Sequence, residues 1–310
     1  MTMTEKIKKT MLQVKRHWQL FIFMIPAVLY FIIFRYVPMV GIQIAFRDYN
    51  PILGFFDSTW VGLKHFIRFF NTTDCLMVIG NTLKISFLNL ILGFPIPIIL
   101  ALMINQTKNL KFKKVVQTVI YAPHFISAVI IAGMLRLFLS PTSGIINTII
   151  VALGGEAQMF MGSASAFPWI YVLSEIWQGM GYSSIVYVAA LSSVSPELHE
   201  SAIVDGATMF QRIKYIDFPS IVPTIIIILI MNAGRILTIG YEKIYLLQNT
   251  LNRTGSEVIS TYVYKQAFGA SGVPNFSYST AIGLFESVVS LVMLLLVNHF
   301  ARKYSETSLI

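Results

Sequence analysis

Tyr171, Ser174, Glu175, Gln178 and Tyr182 stand at i, i+3, i+4, i+7 and i+11, a spacing that gathers side chains on one face of a helix. A carboxylate, an amide and a hydroxyl framed by two phenol rings can hydrogen-bond a hydroxyl-rich solute and stack against its flat faces. Asn232, Arg235, Thr238 and Glu242 drift around roughly one side of a second segment, a third carries Glu286 and Ser290, and a fourth carries His124, Ser127 and Arg136. All of these segments are otherwise apolar. A charge at membrane depth costs about 2.5–3.5 kcal/mol on insertion scales, so such groups face a protein interior or a wet cavity. Two readings follow. The groups either line a polar corridor or pair helix to helix, Glu175 with Arg136 and Glu286 with Arg235. Arg136 and Arg235 fit the pairing reading better. Tyr171, Glu175, Gln178 and Tyr182 fit the corridor, because so many polar groups on one face exceed what packing needs, and Asn232 and Glu286 are placed with them.

The elements that must carry these residues follow from composition. The chain has 310 residues, of which 55% are hydrophobic and 12% charged, with a mean hydropathy of +0.70; soluble domains carry about 25% charged residues. A soluble enzyme is excluded on these grounds. The apolar residues form blocks at about 18–40, 81–104, 116–139, 168–191, 219–241 and 279–301, each as long as a helix needs to cross roughly 30 Å of hydrocarbon. The fold class is therefore all-α and integral to the membrane, one domain of six helices over 18–301, with a basic segment 1–17 before it and a tail 302–310 after it. The first block is read as a retained span, since its apolar core is too long for a signal peptide and no small-residue cleavage site follows. The single cysteine, Cys75, excludes an intrachain disulfide framework and a cysteine-based metal site.

The net charge of +9 reads as a topology signal rather than as nucleic-acid binding. With the amino terminus inside, thirteen of the 23 basic residues fall at inner positions: five before the first span, then Lys108, Lys111, Lys113, Lys114, Arg212, Lys214, Arg302 and Lys303. Six lie outside in longer loops: Arg47, Lys64, Arg68, Lys243, Arg253 and Lys265. The positive-inside rule then places both termini and the loops near 106–115 and 192–218 in the cytoplasm. The first outer loop is rich in aromatics, among them Phe46, Tyr49, Phe55, Phe56, Trp60, Phe66, Phe69 and Phe70. They suit either an interfacial belt or part of a binding mouth.

The inner loop 195–219 predicts an elbow. Ser195 is a good N-cap, Pro196 fits the first helical turn and Glu197 suits the positive end of a helix. Asp205-Gly206 should end that helix, because glycine tolerates the left-handed backbone. A second short helix should then turn Phe210, Ile213 and Ile216 inward and Gln211, Arg212 and Lys214 toward water, until Pro219 opens the fifth span. Such a block could be pushed by a cytoplasmic partner, or could simply cap the bundle at the interface.

Glu200-Ser201-Ala202, Asp205-Gly206-Ala207 and Ile216-x-Phe218-Pro219 resemble the EAA loop of importer permeases of the ATP-binding-cassette class. Ser201 and Phe218 are the departures, each close in size or polarity to the family residue. Asn81-Thr-Leu-Lys84, Gly93-Phe-Pro-Ile-Pro97, Phe112-Lys-Lys-Val-Val-Gln-Thr118, Tyr121-Ala-Pro-His-Phe-Ile-Ser127, Trp60-Val-Gly-Leu-Lys-His65 and Ala281-x-Gly-Leu-Phe285 resemble the permeases that import oligosaccharides and polysaccharide fragments. The resemblance covers nearly the whole chain. It implies a type I importer permease in a bacterial cell membrane, with the elbow as the coupling helix and Glu200, Ala202, Asp205, Gly206 and Ala207 as its contacts to an ATPase. It implies as partners a second homologous permease, two ATPase subunits that hold ATP and Mg, an extracellular solute-binding protein, and a carbohydrate substrate. The chain itself contains no G-x-x-x-x-G-K-[ST] phosphate loop, so nucleotide chemistry falls to a partner and no cofactor is expected here.

The elbow alone is also compatible with a peptide, metal-chelate or amino-acid importer, and six spans with buried charge would serve a channel or secondary transporter. An intramembrane protease built on Ser271 and His299 is disfavoured because the two sit near opposite faces. If the face at 171–182 lines a sugar path, alanine at Glu175 and Gln178 lowers uptake several-fold in a well-expressed complex. Uptake equal to wild type would remove the corridor reading.

Overall fold

The computed structural model describes Arg16, residues 18–269 and residues 272–304. Lys6, Lys8, Lys9, Lys15, Ser271 and the tail from 305 lie outside the described residues. Ten helical elements position the site. They are α1 (Trp18–Phe46) and α2 (Asp74–Asn105); α3 (Leu110–Tyr121), α4 (Ala128–Phe138) and α5 (Phe167–Leu191); α6 (Pro196–Val204); α7 (Met209–Ala233); and α8 (Tyr241–Leu247), α9 (Ile259–Phe268) and α10 (Phe276–Tyr304). By length and composition α1, α2, α7 and α10 are long and apolar enough to cross a membrane, and the bent pair α3–α4 makes a fifth crossing if it is one span. At 25 residues, α5 reaches roughly 37 Å, but its polar face dilutes its apolar content.

Two of the expected spans differ from their sequence outlines. The third is not straight: α3 passes through a 3-10 turn at Ala122–Phe125 and then bends by 96° into α4. Pro123 lacks an N–H for the helical ladder, Ile126 and Ser127 are extended, and the Ser127 hydroxyl caps the new helix at the Ile130 N–H. The fifth ends at Ala233 rather than near 241, so Arg235 lies in a turn, Thr238 in the irregular segment after it, and Glu242 in the first turn of α8.

Prolines shape the continuous rods in a repeated way. Three π-helical segments, Ile32–Tyr36, Asn89–Gly93 and Ile213–Asp217, each end two residues before a proline: Pro38, Pro95 and Pro219. A proline inside a helix removes one ladder bond and clashes with the carbonyl four residues back. Widening the preceding turn to i→i+5 is a local adjustment that lets the rod continue.

The packing runs in three clusters along the bundle. Val78 at the start of α2 meets Phe69, Leu237, Ile259, Tyr262, Tyr278 and Ile282. A middle cluster joins Ile85, Ala132, Phe167, Tyr171, Val172, Ile244 and Leu247. At the far end Ile98 and Ala101 of α2 pack on Tyr187 and Leu191 of α5 and on Ile221 of α7. The elbow therefore sits at one end, where α2 and α5 finish and α7 begins. The loop 47–73 and helices α8 and α9 sit at the other. There a two-residue antiparallel ladder pairs Arg47 with Trp60 and Asp48 with Thr59, and Phe46 stacks on Trp60 at 5.6 Å. Phe69 is buried, while Phe56, Trp60 and Phe70 are exposed. In contrast to these packed helices, no residue of Trp18–Phe31 is buried.

Gly181 lets α5 come close to α3: an added Cβ there would overlap the carbonyl oxygen of Ile120. Overpacking of a tight contact costs about 1–3 kcal/mol. Gly181→Val should lower the melting temperature of the purified protein in detergent, while Gly179→Ala, which meets nothing within 4 Å, should not.

Candidate functional site: a polar cavity and a rigid elbow

A cavity of about 420 Å³ opens between α2, α5 and the end of α7 with the turn that follows it, within the roughly 300–1,000 Å³ range of small-molecule sites. The π segment of α2 contributes Asn89 beside Ser86, α5 contributes Tyr171, Glu175, Ser183 and Tyr187, and the third wall contributes Asn232, Arg235 and Thr238. Three of the predicted corridor residues, Tyr171, Glu175 and Asn232, thus share one cavity. Its lining mixes hydroxyls, amides, a carboxylate and a guanidinium with two phenol rings. Such a surface suits a ligand with many hydroxyls, which needs donors and acceptors in every direction.

Glu175 does not meet Arg136. Its carboxylate accepts from the Lys243 ammonium at 2.7 Å, and the same ammonium donates to Gln178 Oε1 at 2.9 Å and lies 5.9 Å from the Tyr171 ring centre. Lys243 is 5% exposed, against 34% for the Glu175 side chain, so the carboxylate keeps one side toward the cavity. Sequence reasoning left Lys243 among outer-loop charges. It is drawn inward because α8 buries the adjacent Ile244, and Leu247 one turn on, against Phe167 and Val172. Gln178 uses its other end to donate to the Ile126 carbonyl at 2.9 Å, satisfying backbone at the kink between α3 and α4. Tyr182 lies outside the cavity lining and stacks on His124 with ring centres 3.8 Å apart and 4° between planes.

The second expected pairing is also replaced. Glu286 has the Thr238 side chain as its polar neighbour, Arg136 donates to the Leu246 carbonyl, and no ion pair joins Arg235 to a carboxylate among the described residues. Both pairings place the arginine and its carboxylate on neighbouring spans. The early end of α7 and the kink before α4 move them away.

At the elbow, Ser195 Oγ accepts from the Glu197 N–H at 3.3 Å and α6 starts at Pro196. It stops with Gly206 at φ +79°, the Gly206 N–H on Ile203 O at 3.0 Å and the Ala207 N–H on Ala202 O at 2.8 Å, the paired bonds of a Schellman ending. Thr208 then caps α7 in a reciprocal box with Gln211. Glu200, Asp205 and Gly206 are exposed, and Ala202 and Ala207 half-buried. The continuation differs from the sequence outline. There is no separate second helix, because α7 runs unbroken through the π segment. That wider turn shifts the buried face, leaving Phe210 77% exposed and Arg212 half-buried, with Asp217 at 0% exposure.

Fold and site together define an importer permease of the ATP-binding-cassette class. Residues 75–306 match the family described as binding-protein-dependent transport system inner membrane component, and the chain belongs to it. The polygalacturonan/rhamnogalacturonan transport system permease protein YteP of Bacillus subtilis (strain 168) is 42% identical over 302 residues, 97% of this chain and 93% of that protein. Protein LplB of the same strain is 40% identical over 299 residues, 96% of this chain and 93% of that protein. In the crystal structure of a bacterial ABC transporter involved in the import of the acidic polysaccharide alginate, one chain superposes with a TM-score of 0.85 at 41% identity, over 95% of this chain and 99% of that one. A chain of a bacterial alginate ABC transporter in complex with alginate pentasaccharide-bound periplasmic protein gives a TM-score of 0.86 at 41% identity, over 96% of this chain and 98% of that one. The chain is accordingly a multi-pass membrane transport subunit.

Removing one partner of a buried ion pair costs about 3–5 kcal/mol, and the cavity-facing side of Glu175 reduces this to about 2 kcal/mol. Lys243→Met should therefore destabilise the purified protein by that amount. Lys243→Met with Glu175→Gln should cost less than the two single changes summed; strict additivity in thermal unfolding would show that the pair contributes nothing.

Proposed function

We propose that this chain forms half of the translocation path of an ATP-driven importer for an oligosaccharide or polysaccharide fragment, and that it couples to a separate ATPase through Glu200, Ala202, Asp205, Gly206 and Ala207. The observation that carries the coupling is the elbow itself. A helix closed at both ends by caps, exposed on its outer side and continuous through Thr208 with α7, transmits a push instead of absorbing it. A carbohydrate cargo is supported by the hydroxyl-matching lining of the cavity and by the relatives that transport polygalacturonan, rhamnogalacturonan and alginate.

In this reading the membrane is the bacterial plasma membrane and both termini are cytoplasmic. A second homologous permease supplies the other half of the path, two ATPase subunits bind ATP and Mg, and a solute-binding protein delivers sugar at the end formed by the loop 47–73, α8 and α9. When the ATPases close on ATP, the elbows approach and the outer end of the path opens; hydrolysis reverses this. Glu175, held in place by Lys243, offers acceptors to sugar hydroxyls, joined by Asn232 and Tyr171, while Gln178, Tyr182 and Glu286 hold the walls around them.

Co-expression with its neighbouring permease and ATPase should yield one complex whose ATP hydrolysis rises when the binding protein is loaded with oligogalacturonide or alginate oligosaccharide. Transport by the purified chain without an ATPase would overturn the reading. Gly206→Val forces a β-branched side chain into the left-handed region at about 1–2 kcal/mol. It should lower sugar-stimulated hydrolysis several-fold while leaving the amount of protein in the membrane near wild type.

A further inference from the structure

The elbow helix α6 has no buried residue, so apolar packing does not fasten it to the bundle. What meets it from the membrane side is Asp217, the last residue of the π segment in α7 and 0% exposed. Its Oδ1 stands 3.3 Å from His199 Nε2 of α6 and accepts from Asn105 Nδ2 at 3.1 Å, while Oδ2 accepts from Gln106 Nε2 at 2.6 Å. Asn105 is the last residue of α2 and Gln106 its C-cap. One carboxylate therefore joins the elbow, the end of α2 and the start of α7. Arg212, from its own helix, adds positive charge nearby.

This is a costly place for a carboxylate. The C-terminal end of a helix carries partial negative charge, so an anion against the end of α2 is disfavoured, and a buried carboxylate is tolerated only when its acceptor positions are filled. Stability alone would favour an apolar residue here. The position does have a mechanical consequence, because α2 and α7 are two of the three walls of the cavity. Ser86 and Asn89 lie on the same rod as Asn105, and Asn232 on the same rod as Asp217.

We propose that Asp217, with His199, Asn105 and Gln106, is the joint that makes the elbow and the two cavity walls move as one body; this rests on the reading that the elbow docks an ATPase. Asp217 is a positioning residue, touching neither nucleotide nor solute. Loosening the joint leaves the ATPase docked and hydrolysing while the cavity no longer follows it.

The test uses the assembled complex in proteoliposomes, with Cys75→Ser and a reporter cysteine at the cavity wall, Ser183→Cys. The alkylation rate of the reporter by a membrane-impermeant maleimide is read with and without ATP and vanadate. With the joint intact the rate changes several-fold on ATP binding. His199→Ala, Gln106→Ala and Asp217→Asn, each weakening bonds to a buried charge, should abolish most of that change while ATP hydrolysis persists. His199→Gln, which keeps an N–H donor at similar reach, should restore it. A full ATP-dependent change in His199→Ala and Gln106→Ala overturns the proposal, and these two decide it if Asp217→Asn fails to assemble. Charge reversal at the elbow, Glu200→Lys, separates the two ideas: if it leaves ATPase docking and stimulation untouched, the coupling reading fails. If it abolishes them while the joint variants behave as wild type, only the joint fails.

Discussion

Within hydrocarbon no water is available to bond a stray N–H, carbonyl or charge, so each must be answered from inside the chain. This chain carries prolines such as Pro38, Pro95, Pro123 and Pro219, and polar side chains such as Glu175, Asn232 and Asp217, within or beside its apolar helices, and its architecture follows from how they are answered. Pro38, Pro95 and Pro219 interrupt their ladders and are absorbed by π turns just upstream. Pro123 is followed by a break that Ser127 and Gln178 repair from the side. Two of these repairs carry function-bearing residues. Asn89 opens the π turn in α2 and faces the cavity, and Asp217 closes the π turn in α7 and faces the elbow.

The same constraint explains why the cavity can hold charge. Lys243 is almost wholly enclosed, yet it has a carboxylate, an amide and an aromatic face around it. That arrangement fixes Glu175 as an acceptor directed at the cavity and ties α5 to α8. Arg235 is the opposite case: it faces the cavity with no carboxylate partner among the described residues. The cavity is thus one of the ways in which the chain satisfies its polar groups, and the feature that makes it usable by a polar solute is the feature that lets it exist in a membrane protein.

Not every surface is satisfied within the chain. Residues Trp18–Phe31 bury nothing, and Ile131, Met134, Leu135, Phe138, Leu173 and Trp177 line an apolar groove between α4 and α5. Both are compatible with lipid or with another membrane subunit, since neither exposes backbone that water would have to bond. The elbow differs in kind. It exposes Glu200, Asp205 and the Gly206 backbone turn, a polar surface of fixed shape at the end of the bundle where three long helices meet.

Much of this was legible in the sequence because it depends on near neighbours. Apolar blocks of about 20 residues specify membrane helices by length alone. Ser195-Pro196 and Asp205-Gly206 specify where α6 starts and stops through capping and a left-handed glycine, both local effects. The grouping of Tyr171 and Glu175 on one face follows from helical periodicity. The partners were not legible. Lys243 answers Glu175 across 68 residues, and Asp217 answers Gln106 across 111. Which charges meet depends on where the rods bend and end, and a kink of 96° or a helix that stops at Ala233 redirects every side chain beyond it. The sequence by itself determined the helices, their caps and the polar faces, because those are set within a turn or two of chain. Only the tertiary structure decided which of the scarce charges are paired, which face the cavity and what fastens the elbow, because in a low-dielectric interior those choices are made by contact between distant segments.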